Sequence, residues 1–362
     1  MFEHELSQLE QKHLLRRPVV IESYEGPRVT MAGKSFLLMC SNDYLGLANH
    51  PSLQTAACAA MERYGFGSGA SRLVSGTSVV HCELEQRIAQ FKGAEAAIVF
   101  NTGYATNTGI IPAVAGEGDV ILSDGLNHAS IIDGCRLSKA RALVYRHRDM
   151  NHLEDLLRKN RDAGRRLVVT DGVFSMDGDI APLPDLVALS AKYDAILMVD
   201  DAHATGILGR TGRGTAEHFG LEGRVAIQMG TLGKALGCFG AYAAGSRDII
   251  DYLINRSRSY IYSTALPPAV CAASIAAITL VNQEPQRRER LWNNRKRFVT
   301  GLTSLGVDTG SSETPIIPII IGDSEKAIRA GSLLFDHGIF ATAIRPPSVA
   351  ENTARIRMTV MA

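Results

Sequence analysis

Seven short apolar runs, separated by segments with helical spacing, constrain the fold of this 362-residue chain more than any other feature. Such nearly continuous apolar runs are typical of strands in a sheet that is covered on both faces. Helix-like segments such as residues 153–160 and 183–193 lie between them. The alternation predicts βα units with right-handed crossovers and an α/β fold. The candidate strands are residues 97–100, 120–122, 142–145, 167–170, 196–199, 225–229 and 241–244.

Length, composition and charge indicate a globular protein of about two domains. The chain is 46% hydrophobic and 21% charged, and its formal net charge is +1. This balance gives no reason to expect nucleic acid or a membrane surface as a partner. We expect an N-terminal arm over residues 1–45, a large α/β domain over 46–275 and a small C-terminal domain over 276–362.

The cysteines and the N-terminus indicate where the protein resides. The six cysteines are scattered without any CxxC pair. This pattern argues against a metal site or a disulfide framework, and it suits a reducing cytosol. The N-terminus has no long apolar stretch, so we expect neither a signal peptide nor a transmembrane span. The predicted location is cytoplasmic.

Lys234 follows one predicted strand, and two further reactive side chains follow another. The run 225–229 leads to a turn that carries Lys234, whereas the run 196–199 leads directly into Asp200 and His203. In open α/β sheets the carboxyl ends of the strands form the ligand site. Pyridoxal phosphate (PLP) needs an amine for its aldehyde, a carboxylate for its pyridine nitrogen, and hydroxyls or amides for its phosphate. The pattern therefore predicts a PLP site.

Simpler interpretations exist for each of these residues. Asp200 alone would be read as a helix N-cap, since the chain turns just after it. A P-loop needs Ser or Thr after its Gly-Lys pair, but Ala235 follows Lys234, so that interpretation fails. The glycines of residues 65–69 suggest a dinucleotide fingerprint, yet no strand leads into them. Lys234 and Asp200 taken together favour PLP.

Other polar segments follow neighbouring strands. Residues 101–107 should start a helix, so that the amides of Gly103 and Tyr104 face a phosphate. The alternative is a simple strand-to-helix turn. His128 and Ser175 lie in loops that we expect at the same edge of the sheet, where a histidine is as readily structural as catalytic.

Several segments together resemble the α-oxoamine synthases, a fold-type-I PLP family that condenses an amino acid with an acyl thioester and releases CO2. The resemblance spans nearly the whole chain and is highly specific. It implies a large domain with a mostly parallel seven-stranded sheet and a smaller α+β C-terminal domain. The segments are SNDYLG at 41–46, GSGASR at 67–72, GVFSMDG at 172–178, DDAH at 200–203 and IYSTALPP at 261–268.

The resemblance implies a role for each candidate around PLP. Lys234 would bind the cofactor covalently and then act as the base, and Asp200 would hydrogen-bond the pyridinium nitrogen. His128 would stack on the ring, and His203 would bond its phenolic oxygen with Ser175 beside it. The phosphate contacts would be Gly103, Tyr104 and Thr231, with Ser263 and Thr264 reaching the neighbouring subunit's phosphate in a homodimer.

Two segments near the C-terminus are IRPPS at 344–348 and TARIR at 353–357. They most resemble the family members that use L-alanine in biotin biosynthesis. Their second substrate is a pimeloyl thioester, carried on coenzyme A or on acyl carrier protein. Arg357 and Asn42 would hold the amino acid carboxylate, Arg357 through its two-pronged geometry. Arg16 and Ser348 would face the acyl substrate.

Two departures from the family pattern and three alternatives stay open. Gly233 stands where many members carry serine, and the chain ends soon after Arg357, short of the family's usual C-terminus. The alternatives are another synthase that uses glycine with an acetyl thioester, or serine; a non-catalytic partner subunit; and a binding protein without PLP. A non-catalytic subunit is expected to lose the reactive residues, whereas this chain keeps Lys234, Asp200 and His203.

Overall fold

Fourteen strands in three sheets occur among residues 2–362, which this computed structural model describes. They are short, as in most α/β proteins. The strands are β1 (Ser23–Glu25), β2 (Arg28–Met31), β3 (Lys34–Leu38), β4 (Ala96–Phe100), β5 (Val120–Asp124), β6 (Arg141–Tyr145), β7 (Arg166–Asp171), β8 (Ile196–Asp200), β9 (Ile227–Thr231), β10 (Ala241–Gly245), β11 (Ile316–Gly322), β12 (Ile339–Phe340), β13 (Thr342–Ile344) and β14 (Ala354–Thr359).

Thirteen helices occur in the same described range. No helix within it is both long and apolar enough to cross a membrane. The helices are α1 (Phe2–Gln11), α2 (Pro51–Tyr64), α3 (Val79–Lys92), α4 (Gly103–Val114), α5 (Ala129–Leu137), α6 (Met150–Lys159), α7 (Leu183–Lys192), α8 (Thr215–His218), α9 (Arg247–Arg256), α10 (Arg258–Ile261), α11 (Pro268–Gln283), α12 (Pro285–Ser304) and α13 (Ser324–Asp336).

The main sheet has seven strands in the order β4-β10-β9-β8-β7-β5-β6. Neighbours from β9 to β6 are parallel, whereas β10 is antiparallel to both β4 and β9. All seven strands predicted from the apolar runs are present, and the structure extends most of them by one or two residues. Helices α6 and α7 lie where helical spacing predicted them.

Apolar cores cover both faces of this sheet. Successive residues of a strand point to opposite faces. Val168 and Leu197 belong to one buried cluster, whereas the adjacent Val169 and Met198 belong to the other. The two-sided burial explains why the strands read as continuous apolar runs rather than alternating ones.

A polar residue ends each of four parallel strands of this sheet. Asp124 ends β5, Asp171 ends β7, Asp200 ends β8 and Thr231 ends β9. Strand register places Asp171 beside Asp200. Because parallel strands point the same way, these side chains lie along one edge of the sheet.

The chain divides into two compact units. The larger unit comprises His50–Phe174 and Ile180–Arg288, and it contains the seven-stranded sheet. The smaller unit comprises Met1–Asn49, Ser175–Asp179 and Glu289–Ala362. Its two sheets have the strand orders β1-β2-β3-β12 and β11-β14-β13. The boundaries predicted at residues 45 and 275 stay predictions.

Candidate active site

The turn after β9 brings Lys234 to a histidine 31 residues away in the sequence. Lys234 Nζ lies 2.7 Å from His203 Nε2. The turn closes through hydrogen bonds from Gly237 N to Lys234 O and from Cys238 N to Leu232 O. Gly237 has a φ of 63°, a left-handed conformation that glycine adopts without strain. The predicted lysine and histidine are therefore neighbours.

Asp200 is a buried carboxylate, 3% exposed, and only neutral groups hold it. Its Oδ2 accepts a hydrogen bond of 2.7 Å from Asn107 Nδ2, and its Oδ1 accepts one of 2.9 Å from Ala202 N. The second bond closes a turn rather than capping a helix, since the next helix is α8. Within residues 2–362 no lysine or arginine forms an ion pair with Asp200. A buried charge of this kind is costly unless a cation joins it.

His128 is the N-cap residue of α5, and its ring accepts hydrogen bonds from the first turn of that helix. Its Nδ1 accepts a hydrogen bond of 3.2 Å from Ser130 N and lies 2.8 Å from Ser130 Oγ. Its backbone N donates to Asp171 Oδ2 at 2.7 Å. Burial lowers the pKa of His128, and the Asp200 charge opposes this change while Lys234 adds to it. A neutral ring can stack on an aromatic cofactor without adding a charge to it.

Sequence reasoning did not single out two buried polar residues that contact these groups. Asp171 is buried, and its burial together with the Asp200 charge raises its pKa well above the ordinary value. Asp171 ends an apolar run just as Asp200 does, so the same strand-end rule could have found it. Asn107 is fully buried on α4, and only the fold reveals that it reaches Asp200.

The N-terminus of α4 presents two amides, as the sequence predicted. Thr102 caps the helix, and its Oγ1 accepts from Ala105 N at 3.0 Å. Within the described chain no acceptor contacts the amides of Gly103 and Tyr104, as expected at a helix N-terminus. A Cβ on Gly103 would lie 3.1 Å from Met229 Cε, so glycine allows this close approach to β9. The two amides can bind an anion.

The other candidates for phosphate binding lie on β9 and after α10. Thr231 Oγ1 donates to Gly240 O at 3.0 Å and accepts from Gly233 N at 3.2 Å. Thr264 is exposed, and its carbonyl accepts from Asn101 Nδ2 at 2.8 Å. Ser263, the residue before it, is half-buried. The phosphate contacts of these hydroxyls stay predictions.

Arg357 and Asn42, both of the smaller unit, are in contact, and their predicted role in binding a carboxylate stays a prediction. Arg357 lies on β14 and is only 7% exposed. Its Nη2 donates to Asn42 Oδ1 at 3.2 Å, and its Nε donates to the carbonyl of Ser175. Among the described residues no carboxylate forms an ion pair with Arg357. The guanidinium is therefore available for a carboxylate ligand.

Arg16 and Ser348 also belong to the smaller unit. Arg16 Nη2 donates to Pro346 O at 3.0 Å, so the arginine contacts the IRPPS segment. Ser348 N donates to Arg345 O at 3.1 Å, and the Ser348 side chain is exposed. Arg345 in turn donates to the carbonyl of His13. The N-terminal arm and this loop are thus joined by two arginines.

Known sequences and structures similar to this chain point to one group of enzymes. The family model for aminotransferase class I and II matches residues 34–362. The 8-amino-7-oxononanoate synthase of Geobacter sulfurreducens is 56% identical over 360 residues, which cover 99% of this chain and 92% of that protein. The enzyme of that name from Bacillus subtilis is 49% identical, over 99% of this chain and 91% of that protein.

Solved structures give the same picture. A serine palmitoyltransferase from S. paucimobilis with a bound PLP–myriocin aldimine has a TM-score of 0.95 and 33% identity, covering 99% of this chain and 92% of that one. The 8-amino-7-oxononanoate synthase from Francisella tularensis has a TM-score of 0.79 and 30% identity, covering 90% and 92%. These similarities confirm the predicted fold class, fold type I with a mostly parallel seven-stranded sheet.

Proposed function

Because this chain belongs to the aminotransferase class I and II family, we propose that it condenses L-alanine with a pimeloyl thioester and releases CO2 and the free thiol. The product is 8-amino-7-oxononanoate, and the reaction is a step of biotin biosynthesis. The chain is an acyltransferase that uses PLP. The acyl group is carried on coenzyme A or on acyl carrier protein.

The buried carboxylate of Asp200 is the observation that carries this function. PLP, when bound, supplies an electron sink that stabilises negative charge at the α-carbon of an amino acid. The sink depends on a protonated pyridine nitrogen, and such a cation compensates Asp200, whose own neighbours are the neutral donors Asn107 and Ala202. The donor set around Asp200 therefore fits PLP.

Lys234 holds the cofactor covalently and later moves the substrate proton. Its amine is the one primary amine in the turn after β9, and an amine is what the aldehyde of PLP requires. With alanine bound, Nζ would accept the α-proton of alanine and return a proton at the end of the reaction. His203 Nε2, 2.7 Å from Nζ, orients the amine. His203 would also hydrogen-bond the phenolic oxygen of PLP, with Ser175 beside it. His128 stacks on the ring.

The N-terminus of α4 would hold the phosphate of PLP. The amides of Gly103 and Tyr104 donate to it, and the positive end of the helix dipole favours the anion. Thr231 adds a hydroxyl from β9. Since Gly233 has no side chain, this chain lacks the serine hydroxyl that many family members place there.

Arg357 and Asn42 bind the carboxylate of alanine. A guanidinium presents two parallel N–H donors that match a carboxylate, and Arg357 has no carboxylate partner of its own among residues 2–362. Arg16 and Ser348 bind the acyl substrate, and the contact between Arg16 and Pro346 supports placing them together.

We propose a homodimer in which Ser263 and Thr264 of one subunit contact the phosphate of its partner. Large apolar side chains are exposed in the segment over residues 66–79 and at the residue before Ser263, which indicates an interface. The exposed residues are Phe66, Leu73, Val74, Val79 and Tyr262. A backbone bridge between Ser71 and Thr264 connects the two segments that carry them. Analytical ultracentrifugation that shows only monomer at micromolar concentration would refute the dimer.

The proposed location is the cytoplasm. The six cysteines contain no CxxC pair, a usage that suits a reducing compartment. Fractionation of the native host followed by immunoblotting would detect the chain in the soluble cytosolic fraction.

One alternative has support of its own. The TM-score of 0.95 with a serine palmitoyltransferase favours a synthase that uses serine and a longer acyl chain. The identities point the other way, because they are 49–56% with the 8-amino-7-oxononanoate synthases and 33% with that enzyme. Discrimination between amino acids that differ by one small group is worth only about 1–3 kcal/mol, so relatives can differ in substrate.

A thiol-release assay decides between these substrates. The holoenzyme is incubated with alanine, glycine or serine against pimeloyl, acetyl and palmitoyl thioesters, and the free thiol is measured. We expect the highest kcat/KM for alanine with the pimeloyl thioester. Lys234→Ala should abolish both turnover and the visible band of the lysine-bound cofactor. A visible band that resists borohydride, or a preference for serine with palmitoyl thioester, would refute the proposal.

A further inference from the structure

We propose that Asn107 and Ser130 are positioning residues that join Asp200 to His128 through one chain of hydrogen bonds, in which Asn107 donates toward both ends. The chain fixes the orientation of the Asp200 carboxylate and holds His128 as the neutral tautomer with its proton on Nε2. The inference rests on the proposed function, because Asp200 and His128 are its PLP contacts. Neither Asn107 nor Ser130 touches the cofactor in this assignment.

The geometry places all four side chains in contact. Asn107 Nδ2 lies 2.7 Å from Asp200 Oδ2 and 2.9 Å from Ser130 Oγ. Ser130 Oγ lies 2.8 Å from His128 Nδ1. Asn107 and Ser130 are at most 1% exposed, so bulk water does not compete for these bonds. Hydrogen bonds in such an environment are strengthened by the low local dielectric constant.

The chemistry of the donors sets the direction of each hydrogen bond in the chain. The Asn107 amide nitrogen can only donate, so Asp200 Oδ2 and Ser130 Oγ both accept from it. The single hydroxyl proton of Ser130 is then directed to His128 Nδ1. The same Nδ1 also accepts the Ser130 backbone N–H, at 3.2 Å. A ring nitrogen that accepts two hydrogen bonds carries no proton, and the imidazole proton must lie on Nε2.

An unsatisfied atom indicates that this arrangement serves more than packing. Asn107 Oδ1 is buried and, within the described chain, has no hydrogen-bond partner. A rotated amide would direct this oxygen at the Asp200 carboxylate, so the charge of Asp200 holds the amide in its present orientation. A buried acceptor without a hydrogen-bond partner costs about 1–3 kcal/mol of stability. Such atoms are rare in native proteins, and each one calls for an explanation such as a role in function.

Close packing of two helices makes the contact possible. Ser130 lies on α5, and Asn107 lies on α4. A Cβ on Gly134 would lie 2.8 Å from Asn107 O and 2.9 Å from Ile111 Cδ1, so only glycine allows α5 to approach α4 this closely. The approach brings the Ser130 hydroxyl within reach of Asn107 Nδ2.

The chain has two effects on the PLP site. Two N–H donors, from Asn107 and Ala202, hold the Asp200 carboxylate in one orientation. A neutral His128 would add no positive charge to the site, which would favour a protonated pyridine ring in a bound cofactor. Loss of Asn107 removes both effects, whereas loss of Ser130 removes only the second.

Two readouts test the proposal, and the first needs no activity. Apoprotein labelled with ¹⁵N at histidine is examined by long-range ¹H–¹⁵N correlation, with the His128 signal assigned through His128→Asn. We expect the Nε2–H tautomer in the wild type and a mixture of tautomers in Ser130→Ala and Asn107→Ala. An Nδ1–H tautomer or a charged ring in the wild type at neutral pH would overturn the proposal, whatever the enzyme's substrate.

The second readout is the affinity of the apoprotein for PLP, measured by absorbance titration. We expect Asn107→Ala to weaken binding about tenfold to a hundredfold, the equivalent of one lost charge-assisted hydrogen bond. Ser130→Ala should weaken it less, and the double variant should resemble Asn107→Ala alone because both residues act in one chain. Strictly additive losses would show two independent structural effects and contradict the chain.

Thr106→Ala is the matched control. Thr106 is a fully buried residue of the same helix, and its hydroxyl donates to Thr102 O outside this network. It should change neither the tautomer of His128 nor, beyond about twofold, the affinity for PLP. If Asn107→Ala fails to fold, Ser130→Ala alone still tests the tautomer, and an unchanged His128 spectrum there would overturn the proposal.

Discussion

The end of β8 and strand β14 each carry two like charges close together in the sequence, and in each region the two charges have different partners. Asp201 forms a buried ion pair with Lys92 at 2.9 Å, whereas Asp200 has only neutral donors. Arg355 forms an ion pair with Asp177, whereas among the described residues Arg357 has no carboxylate partner. In both regions one charge is compensated by the protein and its neighbour is not.

The difference separates residues that stabilise the fold from residues that bind ligands. Lys92 and Asp201 are 0% and 2% exposed at their side chains, and Thr215 completes the pair by donating its hydroxyl to Asp201 at 2.6 Å. A carboxylate that is compensated in this way has no capacity left for a ligand. The burial of Asp200 and Arg357 costs free energy, and a bound ligand of opposite charge offsets this cost. We therefore assign Asp200 to the cofactor and Arg357 to the substrate carboxylate.

The largest expected effect tests the compensated pair. Lys92→Met leaves Asp201 buried without a cation and should lower the free energy of unfolding by about 3–5 kcal/mol, measured by urea denaturation. The double variant Lys92→Met/Asp201→Leu should recover most of this loss, because it removes both charges. If Lys92→Met were as stable as the wild type, the ion pair between Lys92 and Asp201 would not be a stabilising element of the fold.

The next effect tests the uncompensated carboxylate. Asp200→Asn should lower kcat by about 10²–10³-fold, since the pyridine nitrogen loses its preorganised anionic partner. The stability of the apoprotein should not fall, because the variant removes a buried charge and relieves its repulsion with Asp171. Steady-state kinetics and thermal unfolding of the apoprotein measure the two quantities. A large loss of apoprotein stability with activity retained would assign Asp200 to the fold instead.

A smaller effect is expected on β14. Arg357→Met should raise the KM for alanine about tenfold to a hundredfold through loss of a charge-assisted contact, with a lesser effect on kcat. Arg355→Met should leave this KM unchanged and lower the free energy of unfolding by about 1–2 kcal/mol through loss of the Asp177 pair. Equal changes of KM in both variants would show that the two arginines do not differ as proposed.

The smallest effect concerns pH. Burial alone lowers the pKa of Lys92, but the Asp201 carboxylate more than offsets this, so the pKa of Lys92 is raised. A raised folded-state value means that the ion pair contributes fully below the unfolded-state pKa, about 10.4. The contribution is lost as the pH rises through the folded-state value. The difference in free energy of unfolding between the wild type and Lys92→Met/Asp201→Leu should therefore be constant around neutral pH. Above about pH 10.4 the wild type should lose stability relative to the double variant.

Much of the fold and the main chemical groups could be predicted from the sequence. Two-sided burial produces the continuous apolar runs, and these identified all seven strands of the main sheet. Lys234, Asp200 and His203 follow strand ends, where the topology of an open sheet gathers ligand contacts. Asn107 was not found, because nothing in its local sequence distinguishes a helical asparagine that reaches a carboxylate from one that faces solvent.

Local sequence determined which segments become strands and helices, because hydrophobic periodicity and turn residues act over a few positions. It also placed acidic and basic residues at the strand ends. The tertiary structure alone decided which of two like charges is compensated. Lys92 is 109 residues from Asp201 and Asp177 is 178 residues from Arg355. Burial and the supply of a partner are long-range properties, so only the folded chain distinguishes Asp200 from Asp201 and Arg357 from Arg355.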